Sequence, residues 1–379
     1  MPFGKQSFAR ERLCLMRYHS FHHEMPEHFA FFGPDLRGRL LDSRYLLERI
    51  VGGGGSGTVY AACDRRLKRR VAVKVIHPEH TRLDEQRQRI RQEALVGAQI
   101  NHPNVAPILD FNVAADDRGE QLYFIVMPLL EGRGLREVIL GGPIPWATAC
   151  LWTRQLLAGL AALHGRGVLH RDVKSDNCVL VGEGGREVLK LLDLGLAKVT
   201  RAGLVSRSLR TTTGRVLGTL AYVSPEQALG EPLDERADLY AVGVVLFELL
   251  VRCPPFVGTV YEVLSGHVER LPPRPSETAG RTDIPTVLDA IVERALSKRR
   301  EDRFASALDF DRALACLLEQ EGLAVDLDPG TLGSNEVQAA LAAWRSFDYP
   351  RAQQQAEVAL QLNQAWAPLA ELFELAGGE

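Results

Sequence analysis

Residues 49–64 read RIVGGGGSGTVYAACD, with Gly52, Gly53, Gly54, Gly55 and Gly57 inside six positions and apolar, strand-like residues on either side. Glycine loses more conformational entropy on ordering than any other residue, so such a run is costly unless bare backbone is needed there. Two local structures meet that need: a loose hairpin turn, or a cover whose successive main-chain N–H groups cradle an anion such as phosphate. The flanking sequence sets the frame for either. YLLERIVG, GTVYAACD and RRVAVKVIH are three short apolar runs bounded by glycine or charge, the pattern of an antiparallel meander beginning at Tyr45.

Beyond the meander the periodicity changes. Residues 84–100 (DEQRQRIRQEALVGAQI) form a charged helix, and residues 122–130 (LYFIVMPLL) a strand running into Gly132 and Gly134. A helix over 145–167 opens with Pro and closes on Gly. The short strands CVLV and VLKLLD flank a loop at 182–187, and helices are predicted at about 224–230, 234–251, 258–269, 284–297 and 304–320. A small β-rich lobe thus precedes a larger helical one, with the cleft expected near Leu130 to Gly134.

Composition narrows the partners. A chain of 379 residues, 46% hydrophobic and 25% charged, reads as an ordinary globular protein with room for one two-lobed domain and an appendage. The net charge of -3 and the lack of a Lys/Arg block argue against nucleic acid. The longest apolar run, YAVGVVLFELLV (240–251), is too short to span a bilayer. Arg10, Glu11, Arg12 and Arg17 break any signal-peptide core, so a cytoplasmic protein is expected. The six cysteines form no C-x-x-C pair and are expected to be reduced core thiols.

The chemistry concentrates in VLHRDVKSDNCVL (168–180), which sets His170, Arg171, Asp172, Lys174 and Asn177 within eight positions, and in LLDLGLAK, where Asp193 precedes Leu194 and Gly195. A carboxylate able to accept a hydroxyl proton, an amide and a second aspartate able to hold a divalent cation, and lysines are the parts phosphoryl transfer requires. Lys74, in VAVK, stands on the third strand, where alternation aims it beneath the glycine loop, and Glu93 follows on the next helix.

With these motifs in this order the chain resembles the bacterial eukaryotic-like (Hanks-type) Ser/Thr protein kinases from about Tyr45 to Leu318. The resemblance implies an α+β, two-lobed protein kinase fold: a small antiparallel β lobe with one helix (about 44–131) and a larger helical lobe (about 132–320). It implies that Gly52, Gly54 and Gly57 cover the phosphates of ATP, with Val59 and Ala72 in the nucleotide site. Lys74 would bind the α- and β-phosphates and pair with Glu93. Asp172 would be the catalytic base, Lys174 a neighbour of the γ-phosphate, and Asn177 and Asp193 ligands of Mg²⁺, with Mn²⁺ as the alternative ion. Met127 falls at the gatekeeper position, while Pro128 and Leu130 belong to the hinge, Pro128 offering its carbonyl and Leu130 its N–H.

The resemblance also implies a Ser/Thr specificity from Lys174 and from Thr219 of GTLAYVSPEQ, a core pair between Glu226 and Arg303, and bracing of the catalytic loop by Asp238. Autophosphorylation is expected at Thr211 or Thr213, with Arg171 gripping the phosphate. Two departures stand out: D-L-G replaces the usual D-F-G, and Gly97 stands where a larger apolar side chain is usual. Protein substrates follow from the resemblance, and a pseudokinase scaffold is the alternative. Outside this span, residues 1–43 are expected to be poorly ordered, 321–334 to be a linker, and 335–379 to form a short α-helical, tetratricopeptide-like appendage that docks either on the kinase lobes or on a protein partner.

Overall fold

The computed structural model describes residues 35–115, 119–183, 186–193 and 220–323. Thr211, Thr213, Thr219, residues 324–334 of the predicted linker and the whole predicted appendage lie outside them.

The meander forms as the alternation requires. Strands β1 (Leu40–Leu41), β2 (Tyr45–Gly54), β3 (Gly57–Asp64), β4 (Arg69–Ile76), β5 (Asp110–Ala115) and β6 (Gln121–Pro128) make one antiparallel sheet in the order β1-β2-β3-β4-β6-β5. The sheet starts earlier than the sequence pattern suggested, because Leu36 and Leu41 are buried beside Tyr45 and Leu47. Arg44 fastens it from the side, donating to Asp64 (3.0 and 2.8 Å) and Asp110 (3.3 Å), while the Tyr45 hydroxyl donates to Asp110 at 2.7 Å. The Arg44 guanidinium holds the Asp64 carboxyl down to about 2.

Helix α1 (Asp84–Gly97) packs beside β5. The helical lobe contains α2 (Leu135–Gly141), α3 (Trp146–His164), α4 (Pro225–Leu229), α5 (Glu235–Val251), α6 (Val260–Val268), α7 (Pro275–Thr278), α8 (Thr286–Ala295) and α9 (Ala307–Gln320). A small sheet of β7 (Arg133–Gly134), β8 (Cys178–Glu183) and β9 (Arg186–Leu191) packs against α2 and α3. Helix α5 is buried from Ala237 to Val251, as a helix apolar all round must be. Its Gly243 lets Ala295 and Leu296 pack against the backbone, where a Cβ would collide.

Among the described residues no helix is long and apolar enough to cross a membrane. Cys63, Cys150, Cys178 and Cys316 are free thiols, but Cys253 is disulfide-bonded. That corrects the expectation of uniformly reduced cysteines: spacing along the chain does not report which thiols the fold brings together.

Candidate active site

The glycine loop is the β2–β3 turn, with Gly52 opposite Val59 and Gly54 opposite Gly57. Gly57 is the sterically obligatory member, since a Cβ there would run into the carbonyl oxygen of Val75 on β4. Around Gly52, Gly54 and Gly55 a Cβ would meet nothing within 4 Å. Val59 pairs across β3–β4 with Lys74, Ala61 with Ala72, and Ala72 across β4–β6 with Met127. Lys74 and Ala72 are therefore delivered beneath the loop by strand register alone. Pro128 ends β6 opposite Val71, and Leu130 follows, half-buried, at the passage to the helical lobe.

The loop between α3 and β8 carries the candidate residues His170, Arg171, Asp172, Lys174 and Asn177, and buried contacts fix its backbone. Asp238 on α5 accepts from the main-chain N–H of His170 and of Arg171, both at 2.8 Å, and is hydrogen-bonded to His164 Nε2 at 2.9 Å. Burial pushes the Asp238 carboxyl up, and the His164 contact outweighs it, so the group stays ionised below its ordinary range. This grip holds Arg171 at a φ of +62°, a left-handed conformation that an arginine adopts only when its surroundings enforce it. His170 is buried and kept neutral by desolvation. Its Nδ1 accepts from the Asp172 N–H (3.3 Å), which assigns the proton to Nε2, hydrogen-bonded to the Leu192 carbonyl at 2.9 Å.

Asp172 emerges from this clamp with Lys174 Nζ 3.0 Å from its Oδ2. Burial alone would lower Lys174, and the Asp172 carboxylate reverses the direction. Asn177 Nδ2 donates to the Asp172 carbonyl at 2.8 Å and to Oδ2 at 3.2 Å. Asn177 in turn accepts from the Leu192 N–H at 2.7 Å, which brings the chain leading to Asp193 alongside. Asp193, at a φ of +61°, presents both carboxylate oxygens 2.5 Å from Lys74 Nζ. The site thus unites Lys74, Asp172, Lys174, Asn177 and Asp193.

Glu93 is not where the resemblance put it. Lys74 pairs with Asp193, and Glu93 accepts from Arg171 Nη1 at 2.8 Å. The reason is geometric: Asp193 comes up from the helical lobe directly under β4, while α1 turns Glu93 toward the guanidinium of the catalytic loop. Further out, Glu226 on α4 and Arg303 form a buried bidentate pair at 2.7 and 2.8 Å.

Several residues of this frame were not singled out in the sequence. Gln227 Nε2 donates to the Arg171 carbonyl (3.2 Å), tying α4 to the catalytic loop. The Tyr222 hydroxyl lies 2.8 Å from Ser175 Oγ and donates to Glu248 at 2.6 Å. Burial raises the Glu248 carboxyl, with Tyr222 offsetting it only in part. The signal for it was present: Glu248 is the one charged residue in YAVGVVLFELLV, and a charge in a fully buried helix requires a partner.

Asn177 and Asp193 offer an amide oxygen and a carboxylate on adjacent segments, the hard oxygen donors Mg²⁺ prefers when substrate phosphates complete its shell. The donor set therefore fits such an ion.

The sequence model of the protein kinase domain matches residues 45–310. The chain belongs to the protein kinase family. Its relatives include the serine/threonine-protein kinase PknL of Mycobacterium tuberculosis, 37% identical over 290 residues that cover 76% of this chain and 69% of that protein. The probable serine/threonine-protein kinase PknB of Corynebacterium glutamicum is 35% identical over 272 residues, covering 71% of this chain but only 41% of that longer protein. Among solved structures, the kinase domain of M. tuberculosis PknI matches with a TM-score of 0.58 at 26% identity, over 76% of this chain and 100% of that one. This kinase thus shares the two-lobed fold with a bacterial, Hanks-type group, and kinases of the family use ATP with a divalent metal.

Proposed function

We propose that this kinase transfers the γ-phosphoryl group of ATP to serine and threonine hydroxyls of protein substrates, with Asp172 as base. The observation that carries the reading is the cluster around Asp172: Lys174 at 3.0 Å, Asn177 at 3.2 Å, and a backbone clamped by Asp238 from below. A preorganised group of this kind costs no rearrangement when charge develops. The acceptor hydroxyl attacks the γ-phosphorus, the bond from phosphorus to the β–γ bridging oxygen breaks, ADP leaves, and the hydroxyl proton passes to Asp172.

Lys74 would hold the α- and β-phosphates, Gly52, Gly54 and Gly57 would cover them, and Val59, Ala72, Pro128 and Leu130 would receive the adenine. Lys174, beside the base, would stabilise the transferring phosphoryl. Asn177 and Asp193 would hold Mg²⁺, which neutralises the phosphate charge when bound; Mn²⁺ suits the same donors. Arg171 Nε is buried without a hydrogen-bond partner among the described residues, which supports a role for Arg171 in gripping a phosphorylated Thr211 or Thr213. Residues 335–379 are read as a helical appendage joined by a linker at 321–334, available to a protein partner.

Purified Asp172→Asn and Lys74→Met are each expected to lose phosphate transfer from labelled ATP to a generic protein acceptor, with ATP binding less affected in Asp172→Asn. Retention of most autophosphorylation by either variant would overturn the assignment.

A further inference from the structure

The run from Gly52 to Gly55 is longer and freer than the steric demand explains. Only Gly57 is confined, and the space around Gly52, Gly54 and Gly55 is open. A loop this rich in glycine pays heavily in entropy when it closes over a ligand, unless something restrains it beforehand. The restraint comes from the segment after β4. His77 N donates to the Ser56 carbonyl at 3.2 Å, and His77 Nε2 lies 3.2 Å from Thr58 Oγ1. A short 3-10 turn, Pro78–His80, then brings the His80 ring back to the loop tip, where Nε2 is 2.8 Å from the Gly55 carbonyl oxygen. Glu79 Oε1 is 3.6 Å from the same nitrogen, so two oxygens face Nε2 and that atom carries the proton in either the neutral or the cationic ring.

The turn is anchored from behind. His80 N donates to the His77 carbonyl (3.0 Å), Thr81 N and Oγ1 to the Pro78 carbonyl (3.0 and 3.2 Å), and Arg87 Nε of α1 to the Thr81 carbonyl at 2.6 Å. The tip of the glycine loop is thereby linked to the helix that carries Glu93.

We infer that His80 is a positioning residue for ATP: its Nε2–H holds the Gly55 carbonyl, so the glycine loop is already ordered when nucleotide arrives. This rests on the kinase reading above. The ring touches neither substrate nor reacting atoms, so its effect falls on nucleotide affinity and spares the chemical step.

The test compares the full chain with His80→Ala and His80→Gln. Gln is the conservative variant because its Nε2 amide can donate from nearly the same position. Binding of a fluorescent ATP analogue with Mg²⁺ gives Kd, phosphorylation of a generic acceptor gives KM and kcat, and thermal unfolding reports stability. His80→Ala is expected to raise Kd and KM for ATP about threefold to tenfold with kcat within about twofold, matching one hydrogen bond of about 0.7–1.4 kcal/mol. His80→Gln should recover most of that loss, with Tm unchanged in both. An unchanged Kd, a Kd that falls, a Gln variant as weak as Ala, or a joint fall of kcat and Tm would each overturn the inference. Wild-type protein that binds no nucleotide would instead remove the kinase reading, and this inference with it.

Discussion

Arg303 spends all its donors in the core of the helical lobe. Nη1 and Nη2 reach the two oxygens of Glu226 at 2.7 and 2.8 Å, Nε reaches the Ser297 carbonyl at 2.8 Å, and the remaining N–H groups reach the carbonyls of Arg236 and Lys298 at 3.1 and 3.0 Å. Its side chain is 0% exposed and that of Glu226 3%. Arg303→Met keeps much of the volume and removes every one of these bonds. Stranding one partner of a buried ion pair costs about 3–5 kcal/mol, and three carbonyls losing their donor add to it, so about 4–6 kcal/mol is expected. A domain with about 5–15 kcal/mol in hand would then be marginal. Urea unfolding at neutral pH measures this directly. The double variant Arg303→Met/Glu226→Leu should recover a large part, because an apolar pair leaves no stranded charge.

The pH dependence supplies a second check. Burial pushes Glu226 up and Arg303 overrides it, leaving the carboxyl below its ordinary value of 4.5. A depressed acid stabilises the fold above its unfolded pKa and loses that contribution as pH falls through the folded one, so this part of the wild-type stability disappears in the acid range. In Arg303→Met the two effects of Arg303 are gone and burial is opposed only by the weaker hydrogen bonds from Ser224 and the Glu226 backbone, so the carboxyl shifts upward and the variant should gain stability relative to wild type as pH falls from neutral into the acid range. An Arg303→Met protein within about 1 kcal/mol of wild type, with no change in pH slope, would refute the reasoning.

Two further outcomes are expected. Gly57→Ala should weaken ATP binding at least about tenfold, because its Cβ meets the Val75 carbonyl on β4, while Gly55→Ala, with open space around it and no positive φ, should stay within about threefold in the same binding assay. Burial, reinforced by Arg303 and Arg270, pushes Lys298 down to about 7, so the folded protein binds fewer protons there than the unfolded chain and gains stability as pH rises from 7 toward the ordinary lysine range. Lys298→Met should flatten the rise of Tm over that interval; an unchanged slope would place the titration elsewhere.

The catalytic loop was legible because its chemistry needs particular side chains within a few residues of one another, and such local spacing survives in one dimension. His170, Asp172, Lys174 and Asn177 lie within eight positions and are joined by hydrogen bonds to Asp172. The meander was legible too, since alternation and glycine punctuation are local. Strand β5 was not. DFNVAA is half-exposed along its length, and its pairing with β6 is a property of the sheet rather than of the segment. Residues 35–43 escaped for the same reason: Leu36 and Leu41 acquire their meaning only against Tyr45 and Leu47.

By itself the sequence determined a two-lobed chain with a glycine cover, a lysine on the strand beneath it and a loop of acid, amide and base, because each of these is set by residue type and short spacing. Tertiary structure alone decided which charges meet. Lys74 and Asp193 are 119 positions apart, Arg171 and Glu93 are 78 apart, and nothing along the chain prefers these pairs to Lys74 with Glu93. Ion pairing depends on distance and burial, which exist only once β4, α1 and the catalytic loop are packed together. His80 stands in the same position: one histidine in a polar stretch until the turn after β4 folds back and brings its Nε2 to the carbonyl of Gly55.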